Sequence, residues 1–299
     1  MIPIELTKEL QKLNIECIED ASSAPMSTFR IGGSVELAVY PKTVEQMSAA
    51  VSLLNRYGVR FFVLGNGSNI LFCDGVLEGA VILTQRIADI RISEHTLIAS
   101  AGASLASLAS AAARASLSGL EFAKGIPGTL GGAVYMNAGA YGGTVSDVLV
   151  CSTALNIKTG ELEQIREHDF GYRQSVYMNN NDLICIGAEL ELRDGDREEI
   201  EASMQAMAQK RRASQPLEYP SAGSYFKRPE GHFAGKLIED CGLKGVRIGA
   251  AAVSDKHAGF IINLGGATAD DVLRLEEKVR GEVLCRFGVN LEREVRLIR

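Results

Sequence analysis

Residues 125–143, GIPGTLGGAVYMNAGAYGG, place seven glycines in nineteen positions and limit the fold more than any other segment. Glycine inside a helix or strand costs roughly 0.5–1 kcal/mol relative to alanine, so such a run persists only where bare main chain is needed. Two needs qualify. Gly125, Gly128, Gly131, Gly132 and Gly139, separated by small residues, suit a long surface pressed against a flat ligand; they also suit a glycine-rich packing interface with no ligand. Pro127 stiffens the crossing, and Asn137 is placed to hydrogen-bond a ring edge or a ribose. A second segment, LGNGSN (64–69), directly follows the apolar run RFFVL. Its small residues let consecutive N–H groups converge on an anion, although a tight turn between strands fits equally. The Gly-Lys-Ser/Thr ending of a Walker loop is missing. Ile70 stands where the dinucleotide fingerprint has its third glycine, so a Rossmann crossover fails here.

The chain has 299 residues, more than the ~100–200 of a typical single domain, and two or three packed units are expected. With 46% hydrophobic and 23% charged residues it has a globular composition. A net charge of −6 offers no phosphate-neutralising surface for duplex nucleic acid, which is not expected as a partner. Met1–Ile18 mixes Glu and Lys into its apolar residues, and no stretch reads as a membrane span. The reading is a cytoplasmic protein with no membrane partner. Cys17, Cys73, Cys151, Cys185, Cys241 and Cys285 are scattered, without a C-x-x-C pair or a histidine at ligand spacing, so no metal is expected.

Helix and strand patterns alternate. Thr43 opens a capping box with Gln46, Val44, Met47, Val51 and Leu54 follow at helical spacing, and Gly58 marks the stop. RFFVL (60–64) reads as a buried strand; GAVILT (79–84), TLIASAG (96–102) and LICIGAELEL (183–192) read as further strands. A small-residue helix over 105–116 presents Leu105, Leu108, Ala112 and Ala115 on one face. Charge concentrated in Asp194–Glu199 marks a domain boundary, before a helix carrying Ile200, Met204, Met207 and Arg211. A late helix carries Val272, Leu275, Val279, Val283 and Phe287, with Gly288 as its stop. The last strand, VNLEREVRLI, puts Val289, Leu291, Val295 and Leu297 on one face and Glu294 on the other. There is no internal repeat. The class is α+β with at least two domains.

LGNGSN, GLEFAKGIPGTLGGAVYMNAGAYGG, YRQSVY, SAGSYFKRP, GLKG, SDKHAGFIIN and LEREVRLI occur in this order. From about Thr28 to Ile298 the chain thereby resembles the UDP-N-acetylenolpyruvoylglucosamine reductases, flavoenzymes that complete UDP-N-acetylmuramic acid for peptidoglycan. The resemblance implies an FAD-binding fold of the vanillyl-alcohol-oxidase (PCMH) type. An N-terminal segment (1–27) would precede an FAD-binding domain (28–195, in subdomains of about 28–85 and 86–195), followed by a C-terminal α+β substrate-binding domain (196–299). By the same resemblance Gly65, Asn66, Gly67, Ser68 and Asn69 cradle the FAD diphosphate. Gly125, Ile126, Gly128, Thr129, Gly132, Ala133, Asn137, Ala138 and Gly139 follow the cofactor towards its ring. Neither loop contains His or Cys, so the FAD is expected to be non-covalent. NADPH as hydride donor comes from the resemblance alone.

The reaction so implied has chemical demands. An enolpyruvyl ether carries a C=C bond conjugated to a carboxylate, and hydride delivery needs a fixed donor where negative charge develops. Arg173 in YRQS is the natural candidate, since a guanidinium binds a carboxylate bidentately and stays charged; a surface salt bridge is the alternative. Tyr172 and Ser175 flank it. The resemblance assigns Ser224 in SAGSYFK as the acid that protonates the carbon bearing the carboxylate. A turn hydroxyl bonding its own backbone is the plainer reading. Lys227 would hold substrate or lower the hydroxyl's proton affinity. Glu294 completes the family's set, hydrogen-bonding the developing enediolate, unless it is a solvent-facing glutamate paired with Arg293 or Arg296.

Arg228 stands where many members carry Asn. With the short connection from Pro229 to Ala234, it resembles the shorter branch of the family, which lacks an extra substrate-covering loop. Arg228, Lys236 and Lys244 are then candidates for the substrate diphosphate, and His257 for a core or ligand contact. The implied partners are a UDP-sugar and NADPH, with a monomer slightly favoured. An FAD-dependent alcohol or sugar oxidase and a non-catalytic flavin-binding module are the alternatives.

Overall fold

The computed structural model describes all 299 residues and divides into two compact units of interleaved chain. The first takes Met1–Glu19, Leu37–Asn66 and Gly79–Lys210; the second takes Asp20–Glu36, Gly67–Glu78 and Arg211–Arg299. Boundaries at 27/28, 85/86 and 195/196 would be cuts in contiguous chain. Here strands Glu16–Ser22, Ser34–Tyr40 and Val76–Leu83 each begin in one unit and end in the other. Eight α-helices occur: α1 Ile4–Lys12, α2 Val44–Arg56, α3 Leu105–Arg114, α4 Leu130–Met136, α5 Val176–Asn179, α6 Arg197–Ser214, α7 Ala234–Asp240 and α8 Ala269–Phe287. With the many strands they make an α+β protein, and no helix is long and apolar enough to cross a membrane.

In the first unit, α2 begins where Thr43 accepts the Gln46 N–H at 3.2 Å. The Gln46 side chain does not reach back to Thr43 but accepts from the Lys42 N–H at 2.8 Å, so half of the expected box forms. Gly58, at φ 65°, follows the helix in the left-handed region that glycine adopts freely. Phe61–Leu64 pairs in parallel with Val76–Leu83, from Phe61↔Ala80 to Leu64↔Leu83. It is an edge strand in the order Glu16–Ser22, Ser34–Tyr40, Val76–Leu83, Phe61–Leu64, so only Leu64 is fully buried and the expected buried strand is half-buried instead. Leu6 and Leu10 of α1 and Met47, Val51 and Leu54 of α2 share one core with Leu37, Val39, Ala80 and Ile82.

An antiparallel sheet forms the rest of this unit, in the order Leu162–Ile165, Leu149–Asn156, Leu183–Glu191, Thr96–Ser100, Ile90–Ser93. Ser104 caps α3 by accepting from the Ser107 N–H at 3.0 Å. Leu105, Leu108 and Ala112 are buried as expected, but the helix ends at Arg114 and Ala115 is exposed. Ile200 and Met204 of α6 join the core formed by α3, α4 and this sheet.

In the second unit Ser221–Ser224, Phe260–Asn263, Ala251–Val253 and Arg247–Ile248 form an antiparallel sheet in that order. α8 lays Val272, Leu275, Val279 and Val283 into the core, while Phe287 in its last turn stays 38% exposed. Thr268 and Asp271 form a reciprocal capping box, and the Asp74 carboxylate accepts the N–H groups of Ala269 and Asp270 at 2.7 and 3.0 Å. The expected final strand is much shorter. Only Arg296–Ile298 pairs, in parallel with Ile70–Phe72. The expected face nevertheless holds: Leu291 and Val295 are buried in one core, with Val289 and Leu297 packed against it, while residues 289–295 make a single bridge, Phe226↔Arg293.

Candidate active site

The glycines of the opening stretch divide by purpose. Residues 130–136 are helical, and a Cβ on Gly131 would stand 2.8 Å from that of Ala101. Gly139 and Gly143 lie on two short paired strands, where a Cβ would meet Thr144 and the ring of Phe122 respectively. These three serve close packing within the chain, the reading without a ligand. Gly132 is exposed, with open space around a Cβ apart from Thr129 Oγ1 at 3.7 Å. Gly125 closes a short helical turn, and Ile126 and Ala138 pack against the core, which also buries Ala133.

Gly65 faces the second loop directly. A Cβ there would drive into the Thr129 hydroxyl, and the Asn66 side chain donates to the Pro127 carbonyl at 3.2 Å. Thr129 is 1% exposed, yet its hydroxyl has no hydrogen-bond partner in the chain. The N–H groups of Gly65, Asn66, Gly128 and Thr129 likewise meet no acceptor of the chain. In the second unit the same loop continues through Gly67, at φ 58°, whose Cβ would strike the Met26 carbonyl. The adjacent Ser27 is 4% exposed with a hydroxyl that is also unpartnered. In the first unit, main chain without room for side chains, N–H groups without acceptors and the orphaned Thr129 hydroxyl fit an anionic, flat dinucleotide; in the second, the Gly67 main chain and the Ser27 hydroxyl have the same character.

Arg173 occupies the tip of a tight turn. Gly171 and Gln174 exchange main-chain hydrogen bonds of 3.3 Å, and between them Arg173 stands at φ 55° with its guanidinium 5.3 Å from the Tyr172 ring centroid. Two side chains anchor this turn to the end of α4. Asn137 Nδ2 donates to the Gly171 carbonyl at 3.2 Å, and Ser175 Oγ donates to the Tyr135 carbonyl at 2.7 Å. Asn137 Oδ1 in turn accepts the Ser146 N–H at 3.1 Å. The Asn137 side chain thus ties the turn to the end of α4 with one of its two amide N–H groups and its oxygen, leaving the second N–H for the ring-edge or ribose contact that its sequence position suggested. Behind the turn lies a network that sequence reasoning missed. Ser152 Oγ is 2.7 Å from both His168 Nε2 and the Tyr177 hydroxyl, and all three residues are buried. Burial pulls the His168 imidazole below its ordinary range and pushes the Tyr177 phenol far up.

In the second unit Ser224 is exposed at the end of its strand, opposite Phe260 and after Gly223 at φ 77°. The next residues run beside the C-terminal segment. The Glu294 N–H donates to the Tyr225 carbonyl at 2.9 Å and the Lys227 N–H to the Glu292 carbonyl at 2.8 Å. Asn69 joins them: its side chain donates to the Glu294 carbonyl at 3.1 Å, and its carbonyl accepts the Arg296 N–H at 2.9 Å. Ser224, Lys227, Glu294 and the end of the 65–69 loop therefore sit on neighbouring main chain. Lys227 pairs with Glu292 at 3.1 Å, and the Arg228 guanidinium stacks 4.0 Å from the centroid of the exposed Phe233 ring. Lys236 and Lys244 pair with Asp240 and Glu239. His257 accepts the Gly259 N–H and packs on Phe260, a core role in which burial lowers its pKa.

A second residue that sequence reasoning passed over is Glu276, 6% exposed on α8 and bonded to Tyr225 and Arg293. Its signal was present, because position 276 falls on the same stripe as Val272, Leu275, Val279 and Val283.

Comparison with known proteins places these observations. A family model described as FAD binding domain matches residues 35–166, and one described as UDP-N-acetylenolpyruvoylglucosamine reductase, C-terminal domain, matches residues 215–298. The UDP-N-acetylenolpyruvoylglucosamine reductase of Clostridium beijerinckii is 45% identical over 283 residues, covering 93% of this chain and 91% of its own. That of Pediococcus pentosaceus is 42% identical over 286 residues, 95% of each chain. The crystal structure of the corresponding reductase from Thermus caldophilus matches with a TM-score of 0.80 at 34% identity, covering 95% of this chain and 99% of that one.

Proposed function

The chain belongs to the UDP-N-acetylenolpyruvoylglucosamine reductase family, and from that premise we propose how its own residues carry the reaction. It is an FAD- and NADPH-dependent oxidoreductase that reduces the enolpyruvyl group of UDP-N-acetylglucosamine enolpyruvate to the lactyl ether, giving UDP-N-acetylmuramate for peptidoglycan. The oxidase and non-catalytic alternatives are not favoured, since the relatives match over nearly the whole chain, substrate-domain model included. We place it in the cytoplasm, without nucleic-acid or membrane partners and with a monomer slightly favoured.

The chemistry that a bound FAD would supply here is hydride transfer, with NADPH as the source and the vinyl carbon of the substrate as the destination. Gly65, Asn66, Gly67, Ser68 and Asn69 would hold the FAD diphosphate, and Thr129, whose hydroxyl has no partner in the chain, would follow the cofactor. Gly125, Ile126, Gly128, Gly132, Ala133, Asn137, Ala138 and Gly139 would line the path towards the ring, Gly139 through its main chain because its α-carbon packs against Thr144. Residues 28–195 carry the cofactor and 196–299 most of the substrate contacts, with Tyr172 and Arg173 added from the former. Arg173 takes the substrate carboxylate and stabilises the charge that develops on it. Ser224 gives its proton to the carbon bearing that carboxylate, and Glu294 hydrogen-bonds the enediolate while it forms. Tyr172, Lys227 and Arg228 hold the rest of the sugar nucleotide.

The observation that supports this reading most directly is the main-chain register setting Tyr225 against Glu294, next to Ser224 and tied to Asn69. Stopped-flow spectroscopy of Ser224→Ala tests it. Bleaching of the flavin by NADPH stays intact while reoxidation by the enolpyruvyl substrate slows by at least ~10²-fold, the low end for losing a general acid. Equal slowing of both halves refutes the role.

A further inference from the structure

One carboxylate in this protein is buried. Glu276 is 6% exposed, and no other Asp or Glu is buried with it. Taking an ionised carboxylate out of water is unfavourable unless it is paired and hydrogen-bonded, and apolar residues of similar size often serve stability as well or better. Its neighbours on the α8 stripe are Val and Leu, so the stripe is otherwise apolar. Its partners suggest why it is acidic. Glu276 Oε2 accepts the Tyr225 hydroxyl at 2.8 Å and faces Arg293 Nη1 at 3.3 Å, while Oε1 faces Arg280 Nη1 at 3.6 Å. Tyr225 directly follows Ser224, and Arg293 directly precedes Glu294.

The main chain of the same residues is already joined through the Glu294 N–H to Tyr225 carbonyl and Lys227 N–H to Glu292 carbonyl bonds. Two such bonds hold two strips side by side, and apolar packing of Tyr225, Phe226, Leu291 and Val295 on α8 sets their distance from it, but non-directional packing does not by itself fix their slide along the helix. A carboxylate rooted in α8 that bonds one side chain from each strip fixes that slide by direction and distance. We propose that Glu276 is a positioning residue for the protonation half of the reaction, a clamp that through Tyr225 and Arg293 fixes where Ser224 and Glu294 stand. The proposal rests on the catalytic reading of those two residues. Burial, then the adjacent Glu276, keep the Tyr225 phenol far above its ordinary range, so it remains a donor to the clamp at any working pH.

The test uses the FAD-loaded enzyme with Glu276→Gln, which retains an acceptor for Tyr225 but loses the charge facing Arg293, and with Tyr225→Phe, which deletes only the hydroxyl. Both keep their flavin and are bleached by NADPH at the wild-type rate. Reoxidation by the enolpyruvyl substrate slows about 10-fold or more, since a displacement of about 1 Å costs up to about 10²-fold. Unchanged reoxidation in both variants, or equal slowing of the two halves, overturns the clamp. Should Glu276→Gln fail to fold, Tyr225→Phe decides alone. Ser224→Ala run in parallel separates the two ideas: wild-type reoxidation there defeats the reading of Ser224, whereas slow reoxidation there with normal Glu276→Gln and Tyr225→Phe defeats the clamp.

Discussion

Arg173 holds a left-handed backbone, φ 55°, which an L-residue adopts at roughly 1–2 kcal/mol. Such a conformation persists where its surroundings over-determine it. Here Asn137 and Ser175 pin either side of the turn. Asn137→Asp keeps the acceptor for Ser146 but removes the donor to Gly171. Trypsin then cuts faster after Arg173 and KM for the enolpyruvyl substrate rises, with flavin content unchanged; loss of flavin at an unaltered cleavage rate would show a direct cofactor contact instead. Gly65 gives a converse case. Gly65→Ala forces a methyl group into Thr129, and the variant loses its flavin absorbance on desalting while keeping its fold by circular dichroism.

At the scale of elements, the strand Leu149–Asn156, the segment through His168 and the short helix α5 meet through three buried polar side chains. The His168 pKa is lowered by burial, so the folded protein binds this proton less readily than the unfolded chain does. Stability is therefore complete above the unfolded imidazole pKa and declines as pH falls below about 6.5. Partly buried His257 has the same sign. Melting temperature falls on acidification through this range, and His168→Gln makes the fall shallower; an unchanged pH slope would remove His168 from the network's energetics. α8 offers a simpler case. Asp74→Ala leaves two N–H groups at its start without their acceptor and lowers unfolding free energy by about 1 kcal/mol in urea titration.

Across the whole molecule, neither unit is a contiguous piece of chain. Phe29, Ile31 and Leu71 are buried in the same core as α8, and Ile70–Phe72 is the only partner of the last strand. A fragment of residues 196–299 lacks all of these. Expressed alone, it shows no dispersed amide NMR spectrum; a folded spectrum would contradict the interleaving. The loops that suit FAD carry no His or Cys, so denatured holoenzyme passed through a filter releases all of its flavin.

What could be read along the chain was local. Thr43 with Gly58, the apolar stripe of α8 with Gly288, and the two bare-backbone segments depend on neighbours a few residues away, and each appears in the fold. The motif order placed the family. Tertiary structure decided which strand lies at an edge, so that Phe61–Val63 are half-buried, and which glycines serve packing, as Gly131, Gly139 and Gly143 do. It also shortened the last strand, engaged the Asn137 side chain internally and buried Glu276. These outcomes depend on partners that sequence spacing does not reveal: Asn69 meets Glu294 across 225 positions and Asn263 meets Phe29 across 234, and burial is settled only when such segments come together.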